Sequence, residues 1–190
     1  MNELSEYITK TVKIDLSSLD KVLISFQHRE LKKGKCFLRP GQVCNHYLFI
    51  KKGILRIYML NGEQEITSWI SLENEFFTDL QSMLSQTPTR FYFQALEDTE
   101  IEIIDRKAMD KLFSELPEWQ EFGRKIWEQK FITMLNGTLS FQSHSSKDRY
   151  NFLLQNTGLL KRVPLKILSS YIGITTTSIS RLRKSITQPN

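Results

Sequence analysis

The spacing of apolar residues along this chain changes twice, from the period of a helix to that of strands and back. Between residues 4 and 27, Leu16, Leu19, Val22, Leu23 and Phe26 recur at steps of three and four, the period of a helix with one face turned inward. From His28 to Ile104 the pattern shortens to alternating runs of β-branched and aromatic residues, punctuated by Gly34, Pro40-Gly41, Gly53 and Asn61-Gly62. In ILRIYMLNGEQEITSWI the Asn-Gly pair stands between two such runs, a strong hairpin signal. FYFQALEDTEIEII predicts two more strands with Glu97-Asp98 as their turn. Short strands at this spacing predict an antiparallel sandwich or barrel. Helical spacing returns at Arg106 (DRKAMDKLFSEL), is broken at Pro117, and then runs without proline from Glu118 to about Ser143.

That last segment carries two apolar rows. Trp127, Phe131, Met134, Thr138 and Phe141 step by four and three, the spacing of a helix–helix seam. Ile132, Leu135 and Leu139 form a second row. A helix apolar on two sides needs two partners. One row is expected to pack on the β-rich region and the other on a second copy of the chain, which predicts a homodimer. After QSHSSKDR a short helix, YNFLLQN, precedes Gly158, and a domain boundary is expected near residues 143–147.

Charge sharpens this division. From Lys147 onward there are eight basic residues against Asp148 alone, so of the chain's formal +5 the last segment carries +7 and the first 146 residues −2. A near-neutral body with a basic end is the asymmetry of a nucleic-acid reader. Cys36 and Cys44 are too few for a disulfide framework or a four-thiolate cluster, and both fall in expected strands, which predicts buried thiols. No run approaches 18 apolar residues, and the N-terminus lacks the pattern of a signal peptide, so a soluble, cytoplasmic protein with no membrane partner is expected.

The basic end contains LKILSSYIGITTTSISRLRKSI. With Leu165 as position 1, Leu168, Ile172, Ile174, Ile179 and Leu182 occupy positions 4, 8, 10, 15 and 18, Ser169 is a small residue at 5, and Gly173 stands at 9. This is the pattern of two helices locked across a tight glycine turn. Thr175 then caps the second helix, and Thr176 and Thr177 open it, where side chains reach base edges. Arg181 lies one turn on, at the reach of a guanine edge. Ser178, Ser180 and Lys184 are expected at phosphates.

A β-rich domain, a long helix and a C-terminal helix–turn–helix, in that order, resemble the Crp/Fnr family of bacterial transcription regulators over nearly the whole chain. PGQVCNHYLFIKKGILRIYMLNGEQEI resembles the family's cyclic-nucleotide-binding β-roll, DRYNFLL the first helix of its DNA-binding domain, and SISRLRK its recognition helix. The resemblance implies an α+β chain with a jelly-roll-like antiparallel β-roll effector domain over 1–117, a dimerisation helix over 118–145 and a winged helix–turn–helix domain over 146–190. It implies a homodimer on a palindromic double-stranded operator, RNA polymerase as a further partner, and an effector pocket at Phe77, Thr78, Asp79, Leu80, Thr89 and Arg90. Cyclic AMP or another small molecule is the effector class implied.

At that pocket the sequence departs from the family. Cyclic-AMP-binding members carry Phe-Gly-Glu-Leu and then Arg-Ser/Thr-Ala: glycine admits the phosphate to backbone N–H groups, glutamate holds the ribose, and arginine pairs with the phosphate. Here Phe77-Thr78-Asp79-Leu80 and Thr89-Arg90-Phe91 stand in those places, with the arginine displaced by one residue and therefore on the opposite strand face. Three readings stay open: a pocket for another effector or for none, a cyclic-AMP pocket using Arg90, and a module without DNA regulation. A metal-dependent enzyme on the barrel would need clustered ligands, whereas His28, His46 and His144 are isolated.

Overall fold

The computed structural model describes residues 2–154 and 157–187, with the side chains of residues 152, 154, 157 and 183–187 outside the description. Two helices open the chain, α1 (Glu3–Thr11) and α2 (Leu16–Ile24), where the periodicity predicts one. The break is local chemistry. Val12 and Ile14 are β-branched, and the Asp15 carboxylate accepts from the Ser18 N–H at 3.0 Å, starting a new helix.

The β-rich region folds into two four-stranded sheets, all antiparallel. One has the order β1 (Gln27–Leu31), β8 (Thr99–Asp105), β3 (His46–Lys52), β6 (Glu75–Phe77). The other runs β2 (Cys36–Leu38), β7 (Tyr92–Ala95), β4 (Leu55–Asn61), β5 (Gln64–Ser71). The predicted hairpin joins β4 to β5, with Asn61 paired to Gln64, so its loop is Gly62-Glu63 rather than Asn61-Gly62. Gly62 at φ +60° takes the first loop position, as a II′ turn requires. β7 and β8, expected side by side, instead pass from one sheet to the other, pairing with β4 and β2 and with β3 and β1 respectively.

Between the sheets and under α1 lies the main core, with Phe49, Ile50, Leu55, Phe93, Ile101 and Ile103 almost wholly buried. α4 (Arg106–Glu115) and then α5 (Pro117–Ser143) close it. The Trp119 and Phe122 rings stack at 4.4 Å, and Phe122 meets Phe76 edge-on at 5.3 Å. Here the expectation for the long helix needs correction. Its partners divide along its length and not around its circumference: Trp119, Phe122, Gly123 and Ile126 are buried on the β-body, whereas Phe131, Ile132, Met134, Leu135, Leu139 and Phe141, from both predicted rows, are all about half exposed or more. Trp127 sits at the crossover, half-buried with its ring 6.4 Å from that of Tyr47.

Four helices follow: α6 (Ser146–Leu154), α7 (Thr157–Arg162), α8 (Leu165–Ile172) and α9 (Thr176–Thr187). α7 runs through Gly158. A second apolar core joins Leu159, Val163, Leu168, Ile172 and Ile179 of this unit to Ile54, Ile70 and Leu96 of the β-body. Among the described residues no strand follows β8, so the wing of the expected winged domain is not among them. Cys44 is buried but lies in the loop before β3, and Cys36 in β2 is only half-buried.

Candidate functional site

Two places on the molecule carry the chemistry expected of a site: a cavity at the end of the β-roll and the turn between α8 and α9.

The cavity measures about 160 Å³ and is lined by Asp79, Gln81, Ser82, Thr87, Pro88, Thr89, Arg90 and Phe91. It forms where β6 gives way to α3 (Leu80–Ser85). Of the predicted pocket residues, Asp79, Thr89 and Arg90 line it. Phe77 instead packs edge-on to Phe93 at 5.1 Å, Thr78 is buried with its hydroxyl donating to the His46 carbonyl at 2.9 Å, and Leu80 is 40% exposed. Asp79 is fully engaged: one oxygen caps α3 by accepting from the Ser82 N–H at 3.1 Å, and the other accepts from the buried Thr89 hydroxyl. Thr89 Oγ1 also accepts from the Phe91 N–H at 3.0 Å. Asp79 and Thr89, both expected in the effector pocket, are thus bonded to each other.

Arg90 precedes β7 (Tyr92–Ala95) and lines the cavity, so strand alternation does not turn it to the opposite face. It is exposed, its guanidinium lies 5.2 Å from the Phe91 ring centre, and it makes no ion pair among the described residues. Gln81, Ser82, Thr87 and Pro88 were missed as lining residues because α3 and its return loop fold over the cavity, a placement that no local pattern encodes. At about 160 Å³ the cavity is smaller than the roughly 300–1,000 Å³ of pockets for drug-sized ligands. Among the described residues no group of His, Cys, Asp and Glu is placed to hold a metal ion. His28 pairs with Glu102 at 3.1 Å, and burial pushes the His46 imidazole below its ordinary range.

The second place is built from the turn outward. Gly173 adopts φ +71°, ending α8, and its N–H and that of Ile174 return to the Ser170 and Ser169 carbonyls. Leu168, Ser169, Ile172 and Ile179 are buried between the two helices, with Ile174 and Leu182 partly so. Thr175 Oγ1 accepts from the Ser178 N–H at 3.1 Å and so caps α9, while its hydroxyl and that of Ser178 lie 2.9 Å apart. Thr176, Thr177 and Arg181 are exposed, and Ser178 and Ser180 are half-buried. The side chain of Lys184 falls outside those described.

A residue the sequence reading passed over ties this turn to α5. Arg149 donates from Nε to the Ile172 carbonyl at 3.1 Å and from Nη1 to the His144 carbonyl at 2.8 Å, and its guanidinium lies 5.0 Å from the Phe141 ring centre. One side chain therefore satisfies the C-terminal carbonyls of two helices.

With this geometry in view, comparison with known proteins places the fold. Residues 28–115 match the family of the cyclic nucleotide-binding domain. The fold of the chain is similar to that of a CooA variant from Carboxydothermus hydrogenoformans (TM-score 0.70, 19% identity, covering 98% of this chain and 84% of that one). It is also similar to the catabolite activator protein of Thermus thermophilus (TM-score 0.56, 20% identity, 92% and 84% covered). A third likeness is to a protein of Eubacterium rectale described as a transcriptional regulator of the crp/fnr family (TM-score 0.68, 18% identity, 92% and 84% covered). Among curated proteins, none matches the chain in sequence. The antiparallel β-roll with its helices is the cyclic-nucleotide-binding fold. No helix among the described residues is long and apolar enough to cross a membrane.

Proposed function

We propose that this chain is a homodimeric, sequence-specific transcription regulator of the Crp/Fnr type that reads double-stranded DNA with α9 and carries an altered effector pocket. The observation that carries this reading is the α8–α9 turn. Gly173 and the Thr175 cap present Thr176, Thr177 and Arg181 outward together, on the most basic part of the chain. Threonine methyls suit thymine methyls, and an exposed arginine suits the paired acceptors of guanine. Ser178, Ser180 and Lys184 then contact phosphates, and RNA polymerase is a further partner. The division of labour is β-roll over 1–117, dimer helix over 118–145 and DNA-binding domain over 146–190.

The exposed apolar length of α5 supports a second copy as its partner. Six large apolar side chains within eleven residues, each about half exposed or more, make a patch that a lone chain in water does not favour. A parallel pairing along this length would bring two α9 helices to the two halves of a palindromic operator.

The test is selection of duplexes from a randomised pool by the full chain, followed by titration of the winner. Arg181→Ala and Thr176→Ala should each weaken it by about 5- to 150-fold, the equivalent of roughly 1–3 kcal/mol per base contact. The double substitution Phe131→Asp, Leu135→Asp should give a monomer in sedimentation and abolish tight binding. Equal affinity of wild type and Arg181→Ala for the selected duplex would refute the assignment of the reading face.

One observation favours a second reading. Arg90 lines the cavity with its charge unpaired, so it is free to meet the phosphate of cyclic AMP. A rise in melting temperature with millimolar cyclic AMP, removed by Arg90→Ala, is the result that reading requires. No shift leaves the pocket to another small molecule or to none.

A further inference from the structure

β5 is an outer strand of its sheet, so the Thr67 N–H and the Glu65 carbonyl on its free edge have no strand to pair with. The Ser170 hydroxyl of α8 meets both, accepting from Thr67 N–H at 2.9 Å and donating to the Glu65 carbonyl at 2.9 Å. One side chain from the C-terminal unit therefore does what a neighbouring strand would do.

At the other end of the same face, Arg162 spreads its fork over two carboxylates of the β-body. Nη1 donates to Glu73 Oε2 at 3.0 Å, Nε to Glu97 Oε2 at 3.3 Å, and Nη2 to the remaining oxygen of each. Glu73 is itself held by the Gly53 N–H at 3.0 Å. Gly53 has no substitute here, since φ is +98° and an added Cβ would lie 2.8 Å from the Thr99 backbone. Between these polar anchors lie Ile54, Ile70 and Leu96, buried against α6–α9. The contact is thus an apolar centre bounded by hydrogen bonds from Ser170 at one end and Arg162 at the other. It leaves α9 facing away, with Thr175, Thr176, Thr177 and Arg181 exposed.

We infer that the C-terminal unit is docked on the β-roll in its DNA-reading position by this contact, and that Arg162 and Ser170 are positioning residues for α9. The inference rests on the DNA-reading function proposed above. A reading helix held rigidly reaches its operator half-site without first losing the freedom of a tethered domain, so the dock favours the selected duplex over unrelated DNA. Non-specific DNA, bound through phosphates at many registers, gains little from it.

The experiment uses the full chain and two readouts. Hydrogen exchange at the Thr67 amide reports docking directly, because undocking leaves that amide on an open strand edge. Affinity for a duplex selected by the wild type, against an unrelated duplex of equal length, reports positioning. In Arg162→Gln, which leaves the Ser170 acceptor in place, Thr67 exchange should accelerate at least tenfold, and in both Arg162→Gln and Ser170→Ala the ratio of specific to non-specific affinity should fall at least tenfold. The milder Glu97→Gln should move both in the same direction by less, and pairing Arg162→Glu with Glu97→Arg should recover part of each. Far-UV circular dichroism matched to wild type identifies the variants that remain folded. Fast Thr67 exchange in the wild type, or an unchanged or higher specificity ratio in the folded variants, overturns the inference. A pool that yields no enriched duplex overturns the DNA-reading function, and the inference with it.

Discussion

Asp79 and Thr175 do the same local job in opposite surroundings. Each accepts a hydrogen bond from the N–H three residues on, at 3.1 Å, and each opens a helix. Asp79 is buried, and its second oxygen is taken by the Thr89 hydroxyl. Thr175 is exposed, and beyond it the first turn of α9 turns methyls, hydroxyls and a guanidinium outward. A polar group already paired inside the protein must break that bond before it can serve a ligand, whereas an exposed one exchanges only water. The same cap therefore closes the cavity of the β-roll and opens the face of α9, and the difference lies in what surrounds each helix start.

This contrast can be broken from either side. The largest effect on stability is expected from Asp79→Ala, which removes a cap and leaves the buried Thr89 hydroxyl without its charged acceptor. About 3 kcal/mol should be lost in urea unfolding, with Asp79→Asn costing less because the cap survives. Gly173→Ala comes next. A left-handed backbone costs a Cβ-bearing residue roughly 1–2 kcal/mol, and the new methyl would stand 3.2 Å from the Phe141 ring. Because Phe141 also lies under Arg149, this substitution should loosen the join between α5 and α9 and lower affinity for the selected duplex. Thr175→Ala removes an exposed cap and should cost about 1 kcal/mol, with no change at the Thr67 amide.

The smallest effect is one of pH at the docking contact. Burial alone would raise the Glu73 carboxyl, but hydrogen bonds from Arg162 and from backbone N–H groups outweigh it and hold the group below the ordinary carboxylate range. Protonation is then harder in the folded state. The stability this supplies is complete above the ordinary value of about 4.3 and disappears as pH falls through the lower folded value. The pair should add no slope to the melting temperature above about pH 5, and Glu73→Gln should flatten the decline below it.

Elements announced by neighbouring residues were legible from composition and spacing. The Asn61-Gly62 pair marked the β4–β5 hairpin, although the loop closes one residue later. Gly173 and Thr175 marked the end of one helix and the start of the next. The apolar period from Glu118 to Ser143 marked α5. Each of these is set by backbone conformation or by groups within four residues, and such signals survive in the linear order.

What only the tertiary structure decided involves partners far apart in the chain. β7 and β8 adjoin in sequence yet lie in different sheets, because their partners are distant strands. α5 is covered at its start by Trp119, Phe122, Gly123 and Ile126, whereas both apolar rows are bare beyond Trp127, where the β-body runs out. Arg162 meets Glu73 and Glu97, 89 and 65 residues away, and Ser170 completes a strand edge more than 100 residues back. Arginines, glutamates and serines are common on solvated faces, so nothing local distinguishes these from others. Their pairing depends on long-range packing that brings them together, and that is a property of the folded chain alone.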